Sequence, residues 1–224
     1  MIESNAMFLL ASNSPRRRQM FAWTGWPFEV HAVNIDESPH PGETPPAHVS
    51  RLADQKAQAA RSLVGQWQFI LAADTIVAIG DDILGKPADP QDAVTMLGRL
   101  RAKVHQVYTA ISILEMQTGE LKRDLCISQV PMRMYNDVEI ENYVASGDPL
   151  DKAGAYAIQN AGFHPVENFS GCYASVAGLP LCHVLRLMQG NRVYPERDIP
   201  GSCQYNLQYK CPVYQEILGH ENNG

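Results

Sequence analysis

The sequence predicts an α/β protein built on a mixed, twisted sheet with flanking helices. Strand-like stretches, marked by short apolar runs, alternate along the chain with stretches whose apolar residues keep the helical period. Two long strands at residues 104–114 and 121–132 are predicted to form a hairpin around a turn at Gly119. An antiparallel hairpin within a β/α alternation favours a mixed sheet over a purely parallel one.

The composition limits the number of domains and the kinds of partner that the protein can have. The chain has 224 residues, 45% of them hydrophobic, which suffices for one domain or two closely packed lobes. A net charge of -6 argues against binding to a nucleic-acid polymer but leaves room for a local basic pocket that holds a small anion. No apolar run is long enough to span a membrane and no secretory signal opens the chain, so we expect a cytoplasmic protein.

Cysteine usage agrees with that location. Five cysteines are an odd number without a CxxC pair, which fits reduced thiols better than a disulfide scaffold. Cys203 and Cys211 share the polar C-terminal segment, but their spacing matches no zinc template.

The most informative segment is FLLASNSPRRR at residues 8–18. A short apolar strand ends in a polar turn, Ser14 is predicted as a helix N-cap, and Pro15 suits the first helical turn. The arginines that follow crowd the positive end of that helix, where cations are unfavourable unless an anion neutralises them. This arrangement predicts a phosphate site; the alternative is a capped helix with a solvated basic end.

The next segments predict a strand, a loop and a helix. Residues 28–35 have a strand pattern, and residues 36–46 form a loop rich in Pro, Glu and His. Residues 47–64 are predicted to be helical because their apolar positions keep the 3.6-residue period. Lys56 lies on that apolar face. It either serves a site at the edge of the core or extends its ammonium past the edge into water.

Residues 69–79 form the most apolar strand of the chain and are predicted to be buried on both faces. Asp74 interrupts this strand, and an ionised carboxylate there is costly unless it is paired, bound to a metal or placed at the mouth of a cleft. The alternative is an aspartate that ends a strand or caps a turn. Because apolar residues continue to Ile79, we favour a functional role. The turn at residues 80–82 predicts a hairpin into Ile83 and Leu84.

The second half of the chain predicts three more helices. One begins after the cap Asp89, and another is capped by Asn136 and ends before Gly147. The remaining segments are predicted as short strands near residues 155–158 and 165–169, a helix at 180–189 and an irregular tail at 191–224.

Two loops add charged candidates. Lys86 lies in Gly-Lys-Pro, where the proline stiffens the backbone that presents it. Asp36 and Glu37 offer oxygen ligands of the kind that Mg²⁺ takes together with substrate phosphates. Taken singly, an exposed turn lysine and an acidic loop are the commoner interpretations. Together with Asp74 and the basic turn, they describe a site for a phosphorylated substrate and a divalent metal.

Seven segments resemble the Maf family in that family's order and spacing, across residues 8–189. They are LASNSPRR, RLADQKA, AADTIV, ILGKP, HQVYTA, YVASGDPLDKAGAYAIQ and GLPL, which begin at residues 10, 51, 72, 83, 105, 143 and 178. The resemblance implies an ITPase-like (Maf) domain at residues 7–190, with two lobes around a central cleft, in a homodimer. Residues 3–7 have the sequence ESNAM, which is typical of an expression-tag remnant. We therefore expect the native protein to start at Met7 and residues 1–6 to be the remnant.

The resemblance also implies an activity. The Maf proteins are nucleoside triphosphate pyrophosphatases, which release a nucleoside monophosphate and pyrophosphate with the help of Mg²⁺, Mn²⁺ or Co²⁺. By motif position, Asp74 resembles the catalytic carboxylate and a metal ligand, and Glu37 resembles its partner at the metal. The residues that resemble the family's phosphate-binding set are Ser14, Arg17, Lys56 and Lys86.

Arg16, Thr75 and Gln159 are the candidate specificity residues, because they resemble the branch that favours dTTP and UTP over 7-methyl-GTP. An amide such as that of Gln159 both donates to and accepts from a pyrimidine edge, whereas a carboxylate only accepts. Two departures bear on this selectivity: residues 160–165 replace a glycine-rich loop, and Cys172 stands where a serine is usual. Two other functions stay open, a nucleotide-binding regulator of cell division without turnover and a house-cleaning enzyme for non-canonical nucleotides.

Overall fold

The computed structural model describes residues 6–219, in which six strands form one mixed sheet. The strand order is β2-β1-β3-β5-β6, and β4 pairs with β3. β1 is parallel to β2 and β3, whereas β3, β5 and β6 are successively antiparallel, which confirms the predicted mixed sheet. The strands are β1 (Phe8–Leu10), β2 (Phe28–Val30), β3 (Phe69–Ile79), β4 (Asp82–Leu84), β5 (Val104–Glu115) and β6 (Leu121–Pro131).

Helices flank both faces of this sheet. Ser14, Asp89 and Asn136 cap their helices as predicted, each accepting a hydrogen bond from a backbone N–H in the first turn. The helices are α1 (Pro15–Ala22), α2 (Pro45–Ala60), α3 (Pro90–Leu100), α4 (Asp137–Ala145), α5 (Tyr173–Val176), α6 (Leu181–Gly190), α7 (Ile199–Leu207) and α8 (Tyr214–Gly219), with two short 3₁₀ helices at Asp148–Asp151 and Ala153–Ala155.

Residues of β3 belong to four apolar clusters, and the two larger clusters form the cores of the two lobes. Ala73 belongs to the first core, which the sheet forms with α1 and α6. Val77 belongs to the second core, which the sheet forms with α3 and α4. Asp74 lies between these two positions, where the lobes meet, and α2 covers its face of the sheet through Ala53 and Ala57. The two-lobed arrangement therefore places the only charged residue of β3 at the junction of the cores.

Three predicted strand segments differ from the structure. β2 ends at Val30 instead of continuing to residue 35. Residues 155–158 and 165–169 do not form strands, although Val166 makes an isolated bridge with Met132. Ala155 and Asn168 have φ values of 57° and 53°, and this left-handed backbone is incompatible with an extended strand.

The prediction of an irregular tail at 191–224 is wrong over the described residues, since α7 and α8 lie there. Asp198 caps α7, and Ile199 and Cys203 are buried in the first core. The tail thus packs as part of the first lobe. Residues 220–224 and 1–5 lie outside the described range, and Ala6 is buried in the first core.

Membrane-spanning helices, disulfides and metal-binding side-chain groups are absent from residues 6–219. No helix there has the length and apolar character needed to cross a bilayer. All five cysteines are free thiols. Within the same range, no three His, Cys, Asp or Glu side chains come together as a metal-binding group, Cys203 and Cys211 included.

We expect His105 to make stability depend on pH. Burial lowers its pKa to about 4, below the ordinary value of about 6.5, while Nε2 lies 2.9 Å from the Tyr156 hydroxyl. As the pH falls, His105 is therefore protonated in the unfolded state before it is protonated in the folded state. The contribution of the neutral, buried imidazole to stability is complete above pH 6.5 and is lost as the pH falls toward 4. In urea melts between pH 6 and 5, the free energy of unfolding of the wild type should fall more steeply than that of His105→Gln, by up to about 1.4 kcal/mol per pH unit. Parallel pH curves for the two proteins would contradict this assignment.

Candidate active site

A gap in one edge of β3 forms the centre of the candidate site. β1 pairs with that edge only as far as Leu71, and β4 pairs with it again from Val77. β5 occupies the opposite edge throughout. Among residues 6–219, no strand covers the open stretch that contains Asp74 and Thr75. Because β1 ends at Leu10, the turn that leads into α1 lies directly beside this gap.

Lys56 joins Asp74 and Glu37, two of the three acidic candidates predicted from the sequence. Its Nζ lies 2.6 Å from Asp74 Oδ1 and 2.6 Å from Glu37 Oε1. The side chains of Lys56 and Asp74 are only 12% and 10% exposed, whereas that of Glu37 is 56% exposed. The buried carboxylate is therefore compensated by a buried ammonium, while Glu37 stays open to solvent and ligands.

Arg17 reaches into the gap from the first turn of α1. Its Nε donates to the carbonyl oxygen of Gly178 at 2.8 Å, and Nη2 donates to Thr75 Oγ1 at 3.0 Å. Burial lowers the pKa of the guanidinium, and the negative charges of Asp74 and Glu37 act against that shift. Arg17 is thus a partly desolvated cation that two carboxylates face from across the gap.

Three cations act on Glu37, the more exposed carboxylate of the site. Burial opposes ionisation of this carboxyl, but the hydrogen bond from Lys56, with the charges of Lys86 and Arg17, holds its pKa below the ordinary value. With Asp74, the site contains two carboxylates and three cations. Positive charge in excess of negative charge suits a substrate that carries several phosphates.

Ser14 and Lys86 differ in how they can serve such a substrate. The Ser14 hydroxyl accepts a hydrogen bond from the Arg17 N–H at 3.3 Å, and the Ser14 N–H donates to Ser12 Oγ at 3.1 Å. Ser14 therefore shapes the turn that positions Arg17. Lys86 is exposed and precedes the buried Pro87, so its ammonium extends from an anchored loop.

A pair of threonines, Thr75 and Thr109, connects Arg17 to the backbone of α5. Thr109 donates to the carbonyl oxygen of Ser175 at 2.8 Å, and its Oγ1 lies 3.0 Å from Thr75 Oγ1. Because the Thr109 proton is used on Ser175, Thr75 donates to Thr109 and accepts from Arg17. Thr75, predicted as a specificity residue, thus fixes the guanidinium.

Sequence reasoning assigned no role to Thr109 or Gly178. Gly178 has a φ of 109°, a conformation that favours glycine, and its carbonyl oxygen accepts the hydrogen bond from Arg17 Nε. Both residues lie in motifs that carried the family resemblance, HQVYTA and GLPL. Motif membership was the available signal, but it did not show that the two residues converge on one arginine.

Arg51 fixes the loop that carries Glu37. Its Nε and Nη2 lie 2.7 and 2.8 Å from the two carboxylate oxygens of Glu43, and Nη2 also donates to the Ser38 carbonyl oxygen at 3.0 Å. The hydrogen bond from Arg51 holds the pKa of Glu43 well below its ordinary value. The loop is therefore tied to α2, the same helix that presents Lys56.

Arg16 is half-buried within the electrostatic influence of Asp148, and Gln159 is exposed next to Asn160. Burial lowers the pKa of Arg16, and the negative charge of Asp148 acts against that shift. Asn160, the neighbour of the exposed Gln159, donates from Nδ2 to Asp148 Oδ2 at 3.1 Å. Asp148 is thus bonded to the residue that follows Gln159 and acts electrostatically on Arg16, whereas Thr75 lies beside Arg17.

The segment 160–165, which departs from the glycine-rich loop, is an ordered turn. Asn160 Oδ1 accepts a hydrogen bond from the Phe163 N–H at 2.8 Å. The Phe163 ring stacks on Tyr143 with centroids 4.3 Å apart. The turn is therefore anchored to α4 and presents Gln159 from a defined backbone.

This fold and this cleft define a class of protein: a two-lobed α/β protein whose junction holds a buried carboxylate among cations suited to phosphate groups. The chain belongs to the Maf family, whose sequence model, described as Maf-like protein, matches residues 7–191. The match covers every residue of the candidate site and ends before α7.

Individual relatives agree with this membership. The chain is 42% identical over 181 residues to a dTTP/UTP pyrophosphatase of Citrifermentans bemidjiense, covering 81% of this chain and 93% of the relative. It is 43% identical to a dTTP/UTP pyrophosphatase of Geobacter sulfurreducens, over 79% of this chain and 92% of the relative. A dTTP/UTP pyrophosphatase of Yersinia pestis is 40% identical over 86% of this chain and 95% of its own length.

Proposed function

We propose that the protein is a nucleoside triphosphate pyrophosphatase that hydrolyses dTTP and UTP to the monophosphate and pyrophosphate. The observation that carries the proposal is the buried Asp74–Lys56 pair, which faces Arg17 in the gap of β3. A carboxylate fixed among cations can accept a proton from water beside a bound polyphosphate. The curated relatives, at about 40% identity over most of the chain, support the same reaction.

Each residue of the site then has a chemical role. Asp74 accepts the proton of the water that attacks the α-phosphorus, and Lys56 pairs with that carboxylate and orients it. Arg17 and Lys86 bind phosphate oxygens and stabilise the charge that develops as the bond to the β-phosphate breaks. Ser14 shapes the turn and lies at the same helix N-terminus, where phosphate oxygens are favoured.

We propose a divalent cation, Mg²⁺ with Mn²⁺ or Co²⁺ as alternatives, as the cofactor held by Asp74 and Glu37. The fit rests on the donor set: Lys56 Nζ binds one oxygen of each carboxylate at 2.6 Å, which brings the two carboxylates together and leaves their second oxygens for a metal. Mg²⁺ is commonly held by one or two carboxylates together with substrate phosphates. When bound, it supplies positive charge that neutralises the phosphates.

The proposal extends to the setting of the enzyme. We infer a homodimer in the cytoplasm, acting on free nucleotides and not on nucleic-acid polymers or membranes. The free thiols of all five cysteines and the net charge of -6 support these inferences, and membership of the Maf family supports the dimer.

Base selectivity gives a quantitative prediction. We expect kcat/KM for dTTP and UTP to exceed that for 7-methyl-GTP by at least about tenfold, because a mismatched base leaves a polar group unpaired at a cost of about 1–3 kcal/mol. Gln159→Glu should narrow the ratio, since a carboxylate loses the amide donor and attracts the cationic methylated purine. Steady-state assays of pyrophosphate release on the three substrates measure it.

A matched control separates selectivity from a general charge effect. Gln129 is an exposed glutamine on β6, and Gln129→Glu adds the same charge away from the candidate site. It should leave the substrate ratio unchanged. An unchanged ratio in Gln159→Glu as well would show that another residue reads the base.

A further inference from the structure

The two hydrogen bonds that fix Arg17 belong to one closed ring. On one side, Arg17 Nη2 donates to Thr75 Oγ1, which lies 3.0 Å from Thr109 Oγ1. Thr109 in turn donates to the carbonyl oxygen of Ser175 at 2.8 Å. On the other side, the same carbonyl oxygen accepts from the Gly178 N–H at 2.9 Å, and the Gly178 carbonyl oxygen accepts from Arg17 Nε at 2.8 Å. Both arms that hold the guanidinium thus end on one carbonyl group of α5.

The chemistry of the groups fixes the direction of every bond in this ring. Guanidinium and amide nitrogens only donate, and a carbonyl oxygen only accepts. The Thr109 proton is therefore directed to Ser175, and the Thr109 oxygen accepts the proton of Thr75. Thr75 then presents its lone pairs to Arg17. Without the Thr109 hydroxyl, the Thr75 proton would be free to turn toward the guanidinium, where it would oppose the N–H donor.

Thr109 acts on this ring from inside the protein. Thr109 and Ser175 are 0% exposed, whereas Thr75 and Arg17 are half-buried at the gap of β3. Because Thr109 has no exposed surface, water is a poor substitute for its hydroxyl, and a buried polar group that loses its partner is costly. The same burial leaves Thr109 no surface with which to touch a substrate, so any effect on binding passes through Thr75.

The ring occupies one edge of the Arg17 guanidinium. Nε and Nη2 are the donors of that edge, and they bond to Gly178 and Thr75. The ring leaves the end between Nη1 and Nη2 to two oxygens of a phosphate group, the bidentate geometry that suits arginine. A guanidinium whose plane is already set costs less to order when the phosphate binds.

We propose that Thr109 is a positioning residue for phosphate binding: its hydroxyl orients Thr75, which holds the Arg17 guanidinium in the plane that receives a phosphate group. This inference rests on the proposed function and adds to it a residue that does not touch the substrate. Because the effect passes through Arg17, it falls on the phosphates of the nucleotide and extends to a polyphosphate without a base.

The test compares Thr109→Val, which removes the hydroxyl and keeps the branched shape, with Thr109→Ser, which keeps the hydroxyl. In Thr109→Val we expect kcat/KM for dTTP to fall, and the inhibition constant of inorganic tripolyphosphate to rise, each by at least about threefold. Thr109→Ser should stay within about twofold of the wild type in both quantities, since serine has the same donor and acceptors. The control is Ser112→Ala, which removes a buried hydroxyl of β5 that bonds to Asp54 instead, and it should also stay within about twofold.

A double-mutant cycle separates positioning from a general effect on the fold. Arg17→Ala removes the group that Thr109 positions, so adding Thr109→Val to it should change the residual kcat/KM by less than about twofold. An equal loss in both backgrounds would overturn the inference, as would unchanged constants in Thr109→Val alone. If Thr109→Val is unfolded at the assay temperature in a thermal melt, Thr109→Ala takes its place in the cycle.

The proposed function can fail separately. In that case the wild-type protein releases no pyrophosphate from dTTP, and calorimetric titration with tripolyphosphate decides the role of Thr109. Weaker binding in Thr109→Val, without a further loss when the change is added to Arg17→Ala, supports the inference. Equal binding by the wild type and Thr109→Val, or no binding by the wild type, contradicts it.

Discussion

Asp74→Asn is expected to lower kcat for dTTP by at least about 100-fold, the usual scale for loss of a general base. Asparagine keeps the size of the side chain but cannot accept the proton of water, and it removes the charge that pairs with Lys56. The remaining cations stay in place, so nucleotide binding should persist. Initial rates of pyrophosphate release and titration calorimetry with a non-hydrolysable dTTP analogue measure the two effects.

The matched control is Asp81→Asn. Asp81 is exposed in the turn between β3 and β4, close in sequence to Asp74 but outside the gap. It should retain wild-type rates. Near-normal turnover in Asp74→Asn would remove Asp74 from the catalytic role.

Arg17→Ala should lower kcat/KM by at least about 100-fold. The change removes a cation from the phosphate site and leaves the Gly178 carbonyl and Thr75 hydroxyl without their partner. Hydrogen bonds to charged groups contribute about 1.5–3 kcal/mol each, and 1.4 kcal/mol corresponds to a factor of ten. Arg17→Lys should recover only part of the loss, because an ammonium lacks the planar fork that reaches both acceptors.

Arg61→Ala provides the control for Arg17, since Arg61 is an exposed arginine at the C-terminal end of α2. It should change kcat/KM by less than about twofold, as is usual for a screened surface charge. Equal effects of the two substitutions would mean that only general positive charge matters. Melting temperatures of all variants report whether the loss at Arg17 reflects the site or the fold.

The functional pattern of β3 was readable from the sequence. Burying a single carboxylate in an otherwise apolar strand is costly in any fold. Asp74 could therefore be recognised as a candidate functional residue before its partner was known. The same reasoning found Lys56 on the apolar face of α2, and the structure joins the two at 2.6 Å. Burial cost therefore indicated Asp74, whereas the helical period placed Lys56 on the apolar face and left open whether it serves a site or extends into water.

The contacts around this pair could not be predicted in the same way. From the sequence, Arg17 was interpreted as a solvated or phosphate-binding cation. In the structure it donates hydrogen bonds to Thr75 and to Gly178, which is 161 residues away in the chain. The gap in β3 depends on where β1 and β4 stop pairing, and no local pattern encodes that. Long-range backbone acceptors and strand ends arise only from the assembled sheet.

The tail shows a different reason for error. Its scattered Tyr, Cys and Pro residues lack a strong helical period, although Asp198 followed by Pro200 is an N-terminal signal for α7. Packing of Ile199 and Cys203 against the first core stabilises a helix that local pattern alone leaves ambiguous.

Product analysis of dTTP hydrolysis tests the central claim most directly. In the presence of Mg²⁺, ³¹P NMR of the wild-type reaction should show one pyrophosphate and one dTMP for each dTTP consumed, because attack at the α-phosphorus breaks only the α–β bond. Release of orthophosphate with dTDP would contradict the assigned reaction, and binding of dTTP without any product would favour a nucleotide-binding regulator instead.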